Sequence, residues 1–108
     1  MRRLRIHLLP ALAVALASSA GVAGEHVVIQ KDRSFSTTEI TIQRGDRILF
    51  ENQDSRTHNV FSRSPGNAFE IKAQIPGQTA AVPFPASGRI DVRCAIHPNM
   101  KLTVHVEP

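Results

Sequence analysis

Two segments near the end of the sequence alternate strictly between apolar and polar residues, and a short loop connects them. Segments 89–94 and 101–107 each place every second residue on one face. The residues on the two apolar faces are Ile90, Val92, Cys94, Leu102, Val104 and Val106. A period of two is typical of a β-strand with one buried face. We therefore predict two neighbouring strands joined by a loop over residues 94–100, with the thiol of Cys94 directed into the core.

Shorter alternating segments fill the chain upstream of this pair. The predicted strands are residues 26–30, 39–43, 47–52, 57–62 and 78–84. Turn signals built on glycine and proline separate them. Segments 39–43 and 47–52 lie so close around Gly45 that we expect them to form a hairpin. Many short strands at this spacing indicate an all-β sandwich or barrel with a single domain.

The first residues have the features of a secretory signal peptide rather than of a folded element. Three arginines precede a ten-residue apolar run, and small residues follow it. The run is much shorter than the roughly 20 residues that a membrane-spanning helix needs. We expect cleavage after Ala23, with cleavage after Ala20 or Gly24 left open. The predicted parts are a leader of residues 1–23 and a mature domain of residues 24–108, exported to the periplasm.

The charge of the mature domain argues against two classes of partner. Three of the 13 basic residues lie in the predicted leader, which leaves ten against nine acidic residues in the domain. A domain so close to neutral gives no reason to expect binding to nucleic acid or to a membrane surface. We expect no nucleic-acid partner, no membrane insertion of the mature protein, and a monomer.

One short segment collects the residues with the most distinctive chemistry. Cys94 is the only cysteine, Met100 is the only methionine after Met1, and His97 lies between them. Thiolate and thioether are soft ligands that suit Cu(I), and imidazole binds copper in both oxidation states. A blue-copper site needs two histidines, one cysteine and a weakly bound methionine. The missing histidine should lie upstream, and His58 is the candidate.

The ligand pattern and the sequence before it resemble the cupredoxins, the small blue copper proteins. The Cys-x2-His-x2-Met spacing, with Pro98 after His97, is similar to amicyanin, whereas plastocyanin and pseudoazurin usually have a longer interval between histidine and methionine. The resemblance covers residues 35–107. Its upstream part consists of Phe35, Ile40, Ile42, Gly45-Asp46, Ile48, Phe50, Asn52, Asp54 and His58-Asn59-Val60-Phe61.

The resemblance implies a cupredoxin-like Greek-key β-sandwich or barrel of about seven to eight strands that binds one type 1 copper ion per chain. The implied ligands are His58, Cys94 and His97 in the equatorial plane and Met100 as the axial ligand. Asn59 would support them through a side chain that ties the upstream loop to the Cys94 loop. Pro98 would restrict the backbone beside His97.

The implied function is that of a periplasmic electron carrier, not an enzyme, that cycles between Cu(I) and Cu(II). The exposed ring edge of His97, within an apolar patch that includes Pro98, would be the electron port. Amicyanin passes electrons from a methylamine dehydrogenase to a cytochrome c. The resemblance therefore implies a redox donor and acceptor, with a dehydrogenase and a c-type cytochrome as the examples.

Two other functions are open from the residues alone. A periplasmic copper chaperone or scavenger could use the same fold, but such proteins often carry methionine-rich or histidine-rich tracts, which this sequence lacks. An enzyme built on Cys94 and His97 needs an activated thiol beside a substrate, whereas Cys94 points inward. Purely structural roles are also open, with Cys94 as a buried apolar residue, Met100 as core filler and His58 as a polar loop residue.

Overall fold

The structure is a computed structural model that describes residue 3 and residues 23–108. Nearly all of the leader predicted for residues 1–23 therefore lies outside the described residues. The described residues form nine strands and no helix. The strands are β1 (Glu25–Lys31), β2 (Ser34–Phe35), β3 (Glu39–Gln43), β4 (Arg47–Asn52), β5 (Val60–Ser62), β6 (Phe69–Glu70), β7 (Thr79–Pro83), β8 (Gly88–Cys94) and β9 (Lys101–Glu107). The part of the chain that the structure describes contains no helix long and apolar enough to cross a membrane.

The strands form two sheets around one apolar core. The strand order is β2-β1-β4-β7 in the first sheet and β3-β9-β8-β5-β6 in the second. Every second residue faces inward, because successive side chains of a strand point to opposite faces. Core residues without solvent exposure are Val28, Ile48, Phe50, Val60, Phe84, Val92, Leu102 and Val104. The prediction of an all-β sandwich is confirmed, and the two-residue strands β2 and β6 bring the strand number to nine.

The turn at Gly45 does not close the expected hairpin. β3 and β4 have the predicted bounds, but β3 pairs with β9, and β4 pairs with β1 and β7. The turn amides donate to other segments: Arg44 N–H to the carbonyl of Glu107, and Gly45 N–H to that of Phe84, both at 2.8 Å. Gly45 has a φ of 89°, which glycine adopts without steric penalty. The hairpin prediction is wrong, because this turn carries the chain from one sheet to the other.

The pairing of the strands around Cys94 determines which loops lie beside this cysteine. β8 pairs antiparallel with β9, so residues 95–100 connect adjacent strands at one end of the sandwich, as predicted. β8 also pairs with β5, and Val60 lies opposite Cys94. This register places the residues that precede β5 beside the cysteine. Two loops that are distant in sequence therefore meet at the end of β8.

Candidate metal centre

Three side chains that can bind a metal converge at this end of the sandwich. Cys94, the last residue of β8, is 2% exposed, His58 is fully buried, and His97 is half-buried. The Sγ of Cys94 lies 3.7 Å from Nδ1 of His58 and 3.9 Å from Nδ1 of His97. The two Nδ1 atoms are 3.1 Å apart. Both imidazole rings thus turn the same nitrogen toward the thiol and toward each other.

The geometry of this cluster fits one metal ion. The three ligand atoms all lie within 4.8 Å of one another. Ligands bound to a single first-row metal ion at about 2.0–2.3 Å are themselves separated by about 3–4 Å, which is the spacing of these atoms. One thiolate with two imidazoles is also the equatorial donor set of blue-copper sites. The residues are therefore suited in both chemistry and spacing to copper.

A buried carboxylate orients the ring of His58, and the ligand pattern did not reveal its role. Nε2 of His58 lies 3.0 Å from Oδ2 of Asp54. The backbone N–H groups of Arg33 and Ser55 also donate to this carboxylate, each at 2.8 Å. Donation from Arg33, and then from the His58 ring, lowers the pKa of Asp54 to about 2 against the opposing effect of burial. Asp54 is therefore an anion that accepts a hydrogen bond from the Nε2–H of His58, which leaves Nδ1 of His58 free for a metal.

The main chain of His58 is held by a second buried residue that sequence reasoning missed. His58 N–H donates to the carbonyl of Gln74 at 3.0 Å, and Gln74 N–H donates back to the carbonyl of His58 at 2.8 Å. The Gln74 side chain is buried, donates to the carbonyls of Phe50 and Gln78, and accepts from the amide of Gln30 at 2.7 Å. Gln74 thereby fastens the backbone of His58 to the first sheet.

Asn59 supports the cluster in a different way from the one expected. Its backbone N–H donates to Sγ of Cys94 at 3.4 Å, and its carbonyl accepts from the N–H of Ala95 at 2.9 Å. Its side-chain amide donates to Glu70 on β6, at 3.0 Å. The main chain, rather than the side chain, therefore ties the upstream loop to the Cys94 loop, because the pairing of β5 with β8 continues past its last register pair.

His97 is the member of the cluster nearest to solvent. Burial lowers its pKa, and the adjacent His58 ring and two nearby arginines lower it further. The ring is therefore neutral at neutral pH, and its Nδ1 can bind a metal. Along the chain, the ring lies between Ile96, which is 54% exposed, and Pro98, which is also exposed. Apolar side chains thus flank His97 on the outer surface of the loop.

Met100 ends the loop inside the core. Its backbone N–H donates to the carbonyl of His97 at 3.0 Å, which closes a turn before β9 begins. Its side chain is 1% exposed and belongs to the same buried cluster as Cys94. This position allows both an axial ligand and a core residue, so axial ligation stays a prediction.

A β-sandwich that brings a His-Cys-His cluster together at the end of one sheet defines a protein of the cupredoxin class. The chain belongs to the family of copper binding proteins described as the plastocyanin/azurin family, which it matches over residues 22–107. The family match covers every strand of the described fold.

Individual relatives agree with this membership. The chain is 34% identical over 88 residues to amicyanin-alpha of Methylorubrum extorquens, with 79% of this chain and 74% of the relative covered. Its fold is similar to a reduced Cu(I) form of an amicyanin variant, with a TM-score of 0.70, 26% identity, and coverage of 84% of this chain and 90% of that one.

Two further structures show the same fold at lower identity. A purple cupredoxin from Nitrosopumilus maritimus gives a TM-score of 0.67 at 20% identity, and the match covers 76% of this chain and 99% of that one. A copper-containing nitrite reductase from Thermus scotoductus gives a TM-score of 0.72 at 24% identity, over 92% of this chain but only 26% of the reductase. The fold thus occurs both as a small protein and as part of a larger enzyme.

Proposed function

We propose that this protein is a periplasmic electron carrier that binds one type 1 copper ion through His58, Cys94, His97 and Met100. The convergence of one thiol sulfur and two imidazole nitrogens within 4.8 Å carries the proposal. Copper bound there supplies a one-electron couple between Cu(I) and Cu(II). The proposed working unit is the mature domain of residues 24–108, after removal of the leader of residues 1–23.

The residues around the cluster hold its ligand side chains in the same positions in both oxidation states of the site. Asp54 holds the His58 ring by its Nε2, and Gln74 holds the main chain of the same residue. The N–H of Asn59 donates to the sulfur of Cys94 and stabilises negative charge on it. Because these contacts come from a rigid β framework, the ligands need little movement when the charge at the site changes by one.

His97 offers the route between the site and a partner. Its Nδ1 faces the buried Cys94 sulfur, while its ring is half-buried in an outer loop between Ile96 and Pro98. The proposed partners are a redox donor and a redox acceptor that dock over this loop, such as a dehydrogenase and a c-type cytochrome. We propose that the protein transfers electrons between them and converts no substrate of its own.

An absorption spectrum of the mature protein with one equivalent of Cu(II), recorded before and after ascorbate, tests the proposal. We expect an intense band near about 600 nm that bleaches on reduction, because the thiolate-to-copper transition is strong in a type 1 site. The ultraviolet background is low, since the chain has no tryptophan or tyrosine. A colourless Cu(II) complex, or one that ascorbate does not change, contradicts the assignment.

A further inference from the structure

A buried carboxylate lies at the start of β1, at the opposite end of this strand from its hairpin with β2. Asp46 is 8% exposed and precedes β4. Its Oδ1 accepts from the backbone N–H of Gly24 at 2.8 Å. Its Oδ2 accepts from the backbone N–H of Gln43 at 2.9 Å and lies 2.9 Å from Nε2 of His26. These bonds, with His26 first, lower the pKa of Asp46, so the group is an anion at neutral pH.

The charge of Asp46 is only partly balanced by side chains. Within residues 23–108, His26 is the only side chain that forms an ion pair with it. An imidazole carries a positive charge only when it is protonated, so this pair is not a permanent one. A positive charge beside a carboxylate adds a Coulombic attraction that a neutral N–H donor lacks. One added cation would therefore balance the remaining negative charge of this site.

Gly24 is held against this carboxylate by both of its main-chain groups. While its N–H donates to Asp46, its carbonyl accepts from the N–H of Arg47 at 2.9 Å, and β1 begins at the next residue. A Cβ at position 24 would lie 3.2 Å from both carboxylate oxygens, so a side chain there would push the carboxylate away. The contact is thus shaped around the nitrogen atom of a glycine.

We propose that the leader is removed after Ala23 and that Asp46 is the receptor for the α-ammonium group of Gly24. Before cleavage, the nitrogen of Gly24 is a neutral amide with one proton. Hydrolysis by water breaks the Ala23–Gly24 peptide bond, leaves a carboxylate on Ala23, and leaves an amine on Gly24 that takes up a proton at neutral pH. The same nitrogen, 2.8 Å from Oδ1, then carries a positive charge and three protons.

The contact favours the expected cleavage after Ala23 over the two alternatives that the sequence left open. Cleavage after Ala20 leaves residue 24 with a neutral amide and places the new charge three residues away. Cleavage after Gly24 removes the nitrogen that Asp46 binds. Only cleavage after Ala23 converts this contact into an ion pair. Maturation therefore strengthens the attachment of β1 to β4, and this inference does not depend on the copper function.

The first test is the N-terminal residue of the protein exported from its full-length gene, read by intact mass and by N-terminal sequencing. We expect the mature chain to begin at Gly24. A mature chain that begins at Gly21 or Glu25, or one that keeps the leader, overturns the proposal.

The second test is a two-by-two comparison of thermal unfolding of the copper-loaded protein. Four proteins are compared: two begin at Gly24 and two begin at Ala23, where the extra residue restores a neutral amide at residue 24. Of each two, one has Asp46 and the other carries Asp46→Asn. With Asp46 present, we expect the extra residue to lower Tm by roughly 4–8 °C. With Asp46→Asn, we expect a shift below about 2 °C. Equal shifts in both backgrounds, or none with Asp46, contradict the inference.

Two controls keep this comparison decisive. Asp91→Asn removes an exposed carboxylate on β8 and should leave the effect of the extra residue unchanged. Should Asp46→Asn fail to fold, an NMR titration of the Gly24 amine in the unaltered protein replaces it. Asp46 contacts this nitrogen directly, and His26 contacts the other oxygen of the same carboxylate. We expect the amine pKa to exceed that of an unfolded peptide, which is about 7.7–8.0, and a value at or below that range overturns the proposal.

Discussion

The ring of His58 donates from Nε2 to Oδ2 of Asp54 over 3.0 Å while its Nδ1 faces the sulfur of Cys94 at 3.7 Å. One nitrogen of this ring thus contacts a buried anion, and the other faces the side chains of Cys94 and His97. A histidine held in this way keeps one tautomer and one orientation whether or not a metal is bound.

Replacing the carboxylate should weaken copper binding without removing a ligand. Asp54→Asn keeps the shape of the side chain but loses its charge and one acceptor, so we expect copper affinity to fall by about 10- to 100-fold. Competition with a chelator of known affinity measures the change. Asp91→Asn, at an exposed position, is the matched control. Affinity within twofold of the unaltered protein would show that Asp54 does not orient the ligand.

The equatorial residues should be indispensable for the blue band. Cys94→Ser removes the thiolate, and His58→Ala removes the buried imidazole, so each should abolish the strong absorption near about 600 nm. His105→Ala changes a histidine outside the cluster, which pairs with Glu39, and should retain the full spectrum. A strong band in the Cys94→Ser protein would disprove the assigned chromophore.

The axial position should tune the potential rather than decide whether copper binds. Met100→Leu preserves the buried volume but removes the thioether, so we expect copper to stay bound while the potential rises. Cyclic voltammetry and the visible spectrum measure both properties. If the two are unchanged, Met100 is a core residue and not a ligand.

The side chain of Gln74 should be important for stability. Gln74→Ala leaves the buried carbonyl of Phe50 and the amide of Gln30 without this partner, which should lower the free energy of unfolding by about 2–3 kcal/mol. Urea unfolding of the copper-free protein measures it. Gln53→Ala, at an exposed position, should change the value by less than about 0.5 kcal/mol. Similar losses in the two variants would assign Gln74 no special role.

Acid should destabilise the copper-free protein partly through Asp54. Its pKa is lowered from 3.8 to about 2 in the folded state, so its stabilising effect is fully present above about pH 4 and is lost as the pH falls toward 2. Urea unfolding at several pH values should show this loss, and Asp54→Asn should make it shallower. An identical slope in the variant would mean that other carboxylates account for the acid sensitivity.

The last strand and the ligand loop were predictable because their signals are local, whereas the strand predicted over residues 57–62 begins only at Val60. The alternation of residues 101–107 matches β9, and the spacing of Cys94 and His97 places them in one loop between paired strands. The turn at Gly45 shows the limit of such signals. Its residues suit a hairpin and a crossing between sheets equally well, and the pairing of β3 with the distant β9 decides between them.

The residues that support the ligands were harder to predict because the tertiary fold selects them. Asp54 was part of the family pattern, and its position four residues before a ligand histidine was a usable signal. Gln74 offered none, since its contact with His58 depends on how two loops approach each other. For Asn59, the resemblance pointed to the side chain, but the register of β5 against β8 directs the main-chain N–H to the sulfur.

The pairing of β3 with β9 has a consequence for the order of events when the protein is made. The partners Gln43 and Glu107 are 64 positions apart, so the second sheet is not complete until β9 is present. Contacts this distant form slowly, because a long stretch of chain must be ordered first. In the proposed export from the N-terminus, β9 emerges after the other eight described strands, and until then one edge of β8 has no partner strand. Until β9 pairs with β8, the thiol of Cys94 is therefore more accessible to oxidants than in the completed sandwich, where Cys94 is 2% exposed.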